Sequence, residues 1–408
     1  MLINLKRRAL HLVDLVHRGI DRFWIHPLES QIIPRLESGK QTRLRSATLR
    51  WASWCANVGR VVVLDLRVEV KRWTGSEWSV TYIGDGTSIE ILRAILFPEP
   101  PKMDELPRVF LWRVPALVQK LAGEGDLVVC ELNEIVRWSP NGLNTSFVVP
   151  WFIKQVLEEI DRPMESILAS MNQTMRRKVR QLDTEGFSYL FTQSKEDFDF
   201  FYYRMYLPYI TLRHEGQGMI LDDYESVHKL FMEGGLFLIK DGQDPVCGMV
   251  CTLDGEMCTA LEMGVLDGDF DLVKRGVNIA LFWFVLDWAR DQGAQRFDFG
   301  SSRAQTSNGV FNFKRQWGTH VYFPKGSNTL WSFYAQVLPE KLREHLNELG
   351  IITLVDGKCY ELITNEPDES SSTADFTGKI KHAAARGLAG LIVISEKGKM
   401  QVISQSSS

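Results

Sequence analysis

The sequence predicts a mixed α/β protein of more than one domain, on three observations. Strand-like and helix-like stretches alternate along 408 residues. An antiparallel meander occupies residues 236–265, its strands joined by Asp241-Gly242 and Asp254-Gly255, dipeptides that tight hairpins prefer. After it, a helix pattern that is apolar nearly all round, Val277 to Asp291, leads to a short strand ending in Arg296-Phe297-Asp298-Phe299-Gly300. Strand, helix and strand in that order predict a parallel pair.

The elements follow in order. Residues 1–49 read as a helical leader, basic and apolar by turns, that becomes irregular near Pro27 and Pro34. A β-branched run from Arg60 to Lys71 is answered by Trp78 to Ile83 across Thr74-Gly75-Ser76, which is a hairpin signal. A helix at Ser88 to Leu96, a proline stop at 98–101, a helix at Ala116 to Ala122 and a buried strand at Asp126 to Leu132 complete a first α/β domain, 50–160. Trp151 to Glu159 and Glu165 to Arg180 read as helices, the second ending in Arg176, Arg177, Lys178 and Arg180. Such a cluster is a solvated face in one reading and an anion-binding face in the other.

Phe187 to Phe191 reads as a strand and Glu196 to Tyr209 as a long aromatic helix. The meander, a basic loop carrying Lys274, Arg275 and Gly276, the apolar helix and the Phe297 strand then form the centre of a second domain, 161–326. Ligands of open α/β sheets lie beyond the carboxyl ends of parallel strands, so Gly264, Lys274 to Asn278, Asp298 to Arg303 and Lys314 should collect there. Residues 327–408 read as a small α/β appendage: a helix at Leu338 to Leu349, strands at Ile351 to Val355 and Cys359 to Ile363, a polar loop, then a helix and strand at 376–395. The tail from 404 is expected to be disordered.

Composition narrows the class. Hydrophobic content of 45% and charged content of 24% are those of a globular protein, and a net charge of −4 argues against a dedicated duplex DNA binder. No run reaches the ~18 apolar residues of a membrane span. Six cysteines without a CxxC pair read as buried thiols in a reducing cytoplasm, and no metal site is expected. The leader allows attachment to the inner face of the membrane as an alternative to docking on the next domain.

Four segments carry a family resemblance: Met175-Arg176-Arg177-Lys178-Val179-Arg180 ahead of Gly186; Asn278 at a helix start; Phe297-Asp298-Phe299-Gly300-Ser301-Ser302-Arg303; and Phe313-Lys314-Arg315-Gln316-Trp317-Gly318. Through them, residues from about 160 to 325 resemble the acyltransferase domain of the Gcn5-related N-acetyltransferase (GNAT) superfamily. The likeness is to its FemAB-like and CelD-like (BioF2-like) branch, above all FemAB-like proteins of exosortase-linked polysaccharide clusters. The resemblance implies tandem GNAT-like domains with mixed central sheets, residues 50–160 being a diverged first copy. It also implies transfer of an acyl (acetyl) or aminoacyl group to an amine of a sugar- or peptide-containing acceptor, in cell-envelope or exopolysaccharide biosynthesis, in a cleft between the two domains. A non-catalytic scaffold of the same pathway is the alternative.

The implied donor is acyl-CoA, acetyl-CoA first, with aminoacyl-tRNA as the alternative. Ordinary members bind the pyrophosphate on a Gln/Arg-x-x-Gly-x-Gly/Ala loop at a helix N-terminus. Aligned on Gly276, this chain has Val273 and Asn278 at the outer positions, so Val265, Lys274, Arg275, Gly276 and Asn278 are the donor-side candidates. For the chemistry, Glu262, Asp298 and His214 are candidate acid–base groups. Arg213, Arg303, Lys314 and Trp317 are candidate acceptor-binding residues.

Overall fold

The computed structural model describes residues 67–125, 127–131, 143–214, 223–323, 330–366, 377–384 and 387–404. The leader, Cys55 and residues 405–408 of the expected tail lie outside them, while Ser404, expected in that tail, ends a strand. The chain divides into two compact units. One runs to Ile153 and takes in Ala304–Ser307 and the chain from Phe323 on; the other is Lys154–Arg303 with Asn308–Tyr322.

The first unit opens on the expected hairpin, β1 (Arg67–Thr74) and β2 (Ser79–Gly84), closed with Thr74 opposite Ser79. Helix α1 (Ile89–Leu96) buries Leu92, Ile95 and Leu96. The next strand, β3 (Lys102–Phe110), was not anticipated, because charges and Pro107 hide its pattern. It is an edge strand on β1, where a proline is tolerated. Helix α2 (Val114–Gly123) carries Pro115 in its first turn, where the missing N–H is harmless. Strand β4 (Leu127–Cys130) is buried throughout and lies parallel to β2; β5 (Thr145–Pro150) follows.

The second unit begins with a correction. Trp151 to Glu159, read as a helix, is strand β6 (Phe152–Leu157). Its Ile153 and Val156 fit a pleated surface better than a helix, and the apolar run was too short for periodicity to arbitrate. The helix expected over 165–180 is two, α3 (Met164–Ser170) and α4 (Gln173–Glu185). They break at Met171-Asn172 because Asn172 caps α4, its Oδ1 accepting from Met175 N at 2.8 Å. Met175, Val179 and Leu182 make the buried stripe of α4, and Arg177, Lys178 and Arg180 stand in solvent.

After β7 (Phe187–Thr192) the aromatic helix runs as α5 (Lys195–Phe201), a π turn at Tyr202–Tyr206, and α6 (Leu207–His214). Pro208 lacks the N–H that would bond to the carbonyl of Arg204, and the backbone widens just there. Helix α7 (Tyr224–Glu233) leads to the predicted meander, β8 (Gly235–Asp241), β9 (Asp244–Asp254) and β10 (Met257–Val265). The predicted basic loop is instead a short helix, α8 (Phe270–Arg275), capped by Asp269, whose Oδ1 accepts from Asp271 N at 2.7 Å. Gly276, at φ 96°, turns the chain into α9 (Val277–Asp291), and β11 (Arg296–Arg303) returns parallel to β10 as expected. Helix α10 (Gly309–Arg315) and β12 (His320–Tyr322) close the unit.

The chain then gives β13 (Leu330–Ala335) to the sheet of the first unit, between β4 and β5. Helix α11 (Glu340–Leu349), β14 (Ile352–Val355), β15 (Lys358–Glu366), α12 (Thr377–Ala384), β16 (Gly390–Ser395) and β17 (Met400–Ser404) follow, the strands forming a four-stranded mixed sheet.

The two larger sheets repeat one plan. Their orders are β3-β1-β2-β4-β13-β5 and β12-β6-β11-β10-β9-β8-β7. In each, an antiparallel pair is followed by a strand parallel to its second member, β2 with β4 and β10 with β11. In each, the position beyond that parallel strand is filled by a strand from elsewhere in the chain, β13 or β6. This is the mixed α/β architecture of tandem domains. No helix among the described residues is long and apolar enough to cross a membrane.

Two substitutions test these contacts. A side chain at Gly264 on β10 would put Cβ 2.4 Å from backbone atoms of Met205 and Tyr206 in the π turn. Gly264→Ala should therefore lower stability by about 1–3 kcal/mol, read from urea melts. At the end of β4, the carboxylate of Glu131 accepts from the Tyr82 hydroxyl and, at 3.0 Å, from Ser88 N. Burial, then the charge of Asp85, push its carboxyl from 4.5 up to about 8. The folded state thus holds a proton that the unfolded chain releases, so this contribution is complete below pH 4.5 and lost as pH rises through 8. Glu131→Gln should flatten the pH dependence of the melting temperature across that window.

Candidate functional site

The second unit is organised around the place where two parallel strands part. Strands β10 and β11 pair at Met257–Arg296, Cys258–Phe297 and Thr259–Asp298. There the ladder stops, although β10 continues to Val265 and β11 to Arg303. Two local features explain the parting. Strand β10 is bulged between Ala260 and Met263, and a bulge bends its strand. Strand β11 carries Gly300 at φ 78°, a backbone conformation that a side chain strains; its Cβ would meet Ala260 O at 2.9 Å.

Asp298, the last paired residue of β11, is 8% exposed. Its Oδ1 accepts from Gly300 N at 2.7 Å, bracing the left-handed turn, and its Oδ2 lies 3.3 Å from Lys154 Nζ on β6. Lys314 reaches the same place from α10. That helix is started by Asn308, whose Oδ1 accepts from Val310 N and Phe311 N, and is anchored by the buried Phe311. The Lys314 side chain is 6% exposed and donates from Nζ to Ser301 O at 2.8 Å. Gln155 ties the pieces together: it accepts from Ser302 Oγ at 2.7 Å and donates to Phe311 O at 3.1 Å.

Burial of the amine is the largest effect on Lys314, pushing it down from 10.5 to about 7. The charges of Lys154 and Arg213 push the same way, while those of Asp298 and Glu262 oppose. A solvated lysine carries its proton throughout the physiological range. This one is poised to exchange it.

The other candidates sort by position. Glu262 lies in the bulge of β10, half-buried, within electrostatic reach of Lys314. Arg213 lies on α6 with its guanidinium 5.3 Å from the Tyr209 ring centroid and bonded to the Tyr209 hydroxyl. His214 ends α6, and its side chain lies outside the described residues. Arg303 ends β11, and burial lowers its pKa. Trp317 is wholly buried against Phe282, Phe299 and Phe313, so it braces the site as a core residue and lines no surface.

Four of the donor-side candidates stand where α8 meets α9, and Val265 ends β10. Lys274 is paired with Asp271 at 2.6 Å. Arg275 is paired with Asp241 at 2.7 Å and Glu185 at 3.6 Å, and lies over the Phe187 ring. Both cations are engaged by acids of the same unit. Gly276 N donates to Val273 O and its carbonyl accepts from Ile279 N and Ala280 N, so this glycine caps helices. Val265 is buried at the end of β10, and Asn278 Oδ1 is buried with no partner among the described residues. On α4, by contrast, no carboxylate among the described residues pairs with Arg177, Lys178 or Arg180, and Arg176, Arg177 and Arg180 line a surface groove of about 820 Å³.

Lys154 and Gln155 are absent from the sequence reading because it makes β6 a helix. The β-favouring Phe152, Ile153 and Val156 are the available signal, but only the pairing of the sheet brings β6 beside β11. Among the described residues no cluster of His, Cys, Asp and Glu could hold a metal ion.

Residues 169–315 match the family model described as an acetyltransferase (GNAT) domain. Among solved structures the chain is similar to FemX, at 13% identity and TM-score 0.37 over 78% of this chain and 97% of that one. It is similar to L-PGS from Bacillus licheniformis, at 12% and 0.33 over 77% and 99%. A GCN5-related N-acetyltransferase from Kribbella flavida matches at 9% and 0.26 over 87% and 83%. No curated protein matches the sequence. These low structural scores leave the family match to carry the assignment. Residues 169–315 thus match a GNAT-type acetyltransferase domain, and within them Asp298 and Lys314 stand where β10 and β11 part.

Proposed function

We propose that the second unit transfers an acyl or aminoacyl group to an amine of a sugar- or peptide-containing acceptor, with Lys314 as the proton acceptor. The observation that carries this reading is the buried Lys314 amine, lowered to about 7, beside the split between β10 and β11. In the reaction the acceptor nitrogen attacks the acyl carbonyl carbon and a C–N bond forms. The bond from that carbon to the donor oxygen or sulfur breaks, and the nitrogen's proton passes to Lys314 Nζ. A base works best when its pKa lies near the working pH. Arg213 and Arg303 suit an anionic group of the acceptor, and Glu262 and Asp298 balance the charge around the amine. Cell-envelope or exopolysaccharide assembly is the setting this acceptor class suggests, and contact with the inner face of the membrane accords with it.

Transfer should be measured from acetyl-CoA and from aminoacyl-tRNA to amino sugars and to amino-terminal peptides. kcat/KM should rise with pH through about 7 and level off. Lys314→Met should lower it about 10²–10⁴-fold and abolish that rise. A variant that keeps the wild-type profile, or a protein that transfers from neither donor, overturns the reading and leaves a non-catalytic scaffold.

An aminoacyl-tRNA donor is the second reading, favoured by the contrast between the paired Lys274 and Arg275 and the basic face of α4, which meets no carboxylate among the described residues. Under it, tRNA binds with an affinity that falls steeply with salt, and Arg177→Ala with Arg180→Ala reduces the slope of log K against log salt by about 2. A rise in melting temperature with acetyl-CoA and no tRNA binding would assign the donor to coenzyme A instead.

A further inference from the structure

Lys154 is a charged residue with no role in the reaction as written, yet it is built into the site. It stands on β6, next to the buried Gln155 that joins β11 to α10, so its backbone position is fixed by the sheet. Its ammonium meets Oδ2 of Asp298 at 3.3 Å, while Gly300 N occupies Oδ1. Both oxygens of that carboxylate are thus engaged. No ion pair joins Asp298 to Lys314, whose Nζ instead donates to the carbonyl of Ser301.

We infer that Lys154 is a positioning residue that withholds the Asp298 carboxylate from Lys314 and so leaves the Lys314 amine available to take up a proton. The inference rests on the reading of Lys314 as the proton acceptor. Four charged groups face this amine from the elements around it: Lys154 from β6, Glu262 from β10, Asp298 from β11 and Arg213 from α6. Of these, Asp298 and Lys154 are joined to each other, so a change in one alters what the other offers. Without Lys154, the carboxylate has one oxygen free and no competing cation. Lys314 would then hold its proton more tightly and lose its use as a base at neutral pH.

The test reads Lys314 directly. In protein with ¹⁵N,¹³C-labelled lysine, the Nζ signal of Lys314, assigned by its loss in Lys314→Met, is titrated by NMR. It should have its midpoint near 7 in the wild type, about one unit higher in Lys154→Met, and at the wild-type value in Lys154→Arg, which keeps the charge. In Lys154→Met with Asp298→Asn the upward shift should vanish, because the withheld carboxylate is gone. An unchanged midpoint in Lys154→Met overturns the inference, and so does a shift that persists in the double variant. A midpoint that moves as expected while the pH dependence of kcat/KM stays put upholds the role of Lys154 and overturns Lys314 as the base.

Discussion

Keeping the amine of Lys314 out of water, at the point where β10 and β11 part, is the constraint on which the second unit turns. A buried ammonium is costly, and the structure meets that cost by lowering the pKa and giving Nζ a carbonyl acceptor. Both responses need the split. Were the ladder continuous, the Ser301 carbonyl would be spent on a strand neighbour. The bulge in β10 and the left-handed Gly300 free that carbonyl and leave space for the side chain.

Much of the surrounding fold holds this irregularity in place. Asp298 braces the turn at Gly300, Gln155 binds β11 to α10, and Trp317 fills the core beneath them. On the far side of β10, the π turn presses its backbone onto Gly264. A widened helix is uncommon away from functional sites. Here it traces to Pro208, a residue that changes helix geometry wherever it interrupts the hydrogen-bond ladder.

The electrostatics divide the unit in two. Near α9, the cations Lys274 and Arg275 are spent on carboxylates of their own chain, so the helix dipole stands there without added positive charge. Along α4, the basic face has no such partners among the described residues. The same residue types therefore carry opposite meanings in the two places. What separates them is whether the fold brings an acid within reach.

By itself the sequence determined the periodic elements: the meander and its Asp-Gly turns, the apolar helix from Val277 to Asp291, the parallel return strand, and the motif residues Asp298, Gly300 and Lys314. Hydrophobic period and turn chemistry act over a few residues, so a linear reading can see them. Tertiary structure alone decided the rest. It made 152–157 a strand, brought Lys154 and Gln155 to β11 across about 140 residues of chain, and paired Arg275 with Asp241 and Glu185. It also buried the Lys314 amine and so lowered its pKa, because desolvation depends on what covers a side chain and not on its neighbours in sequence.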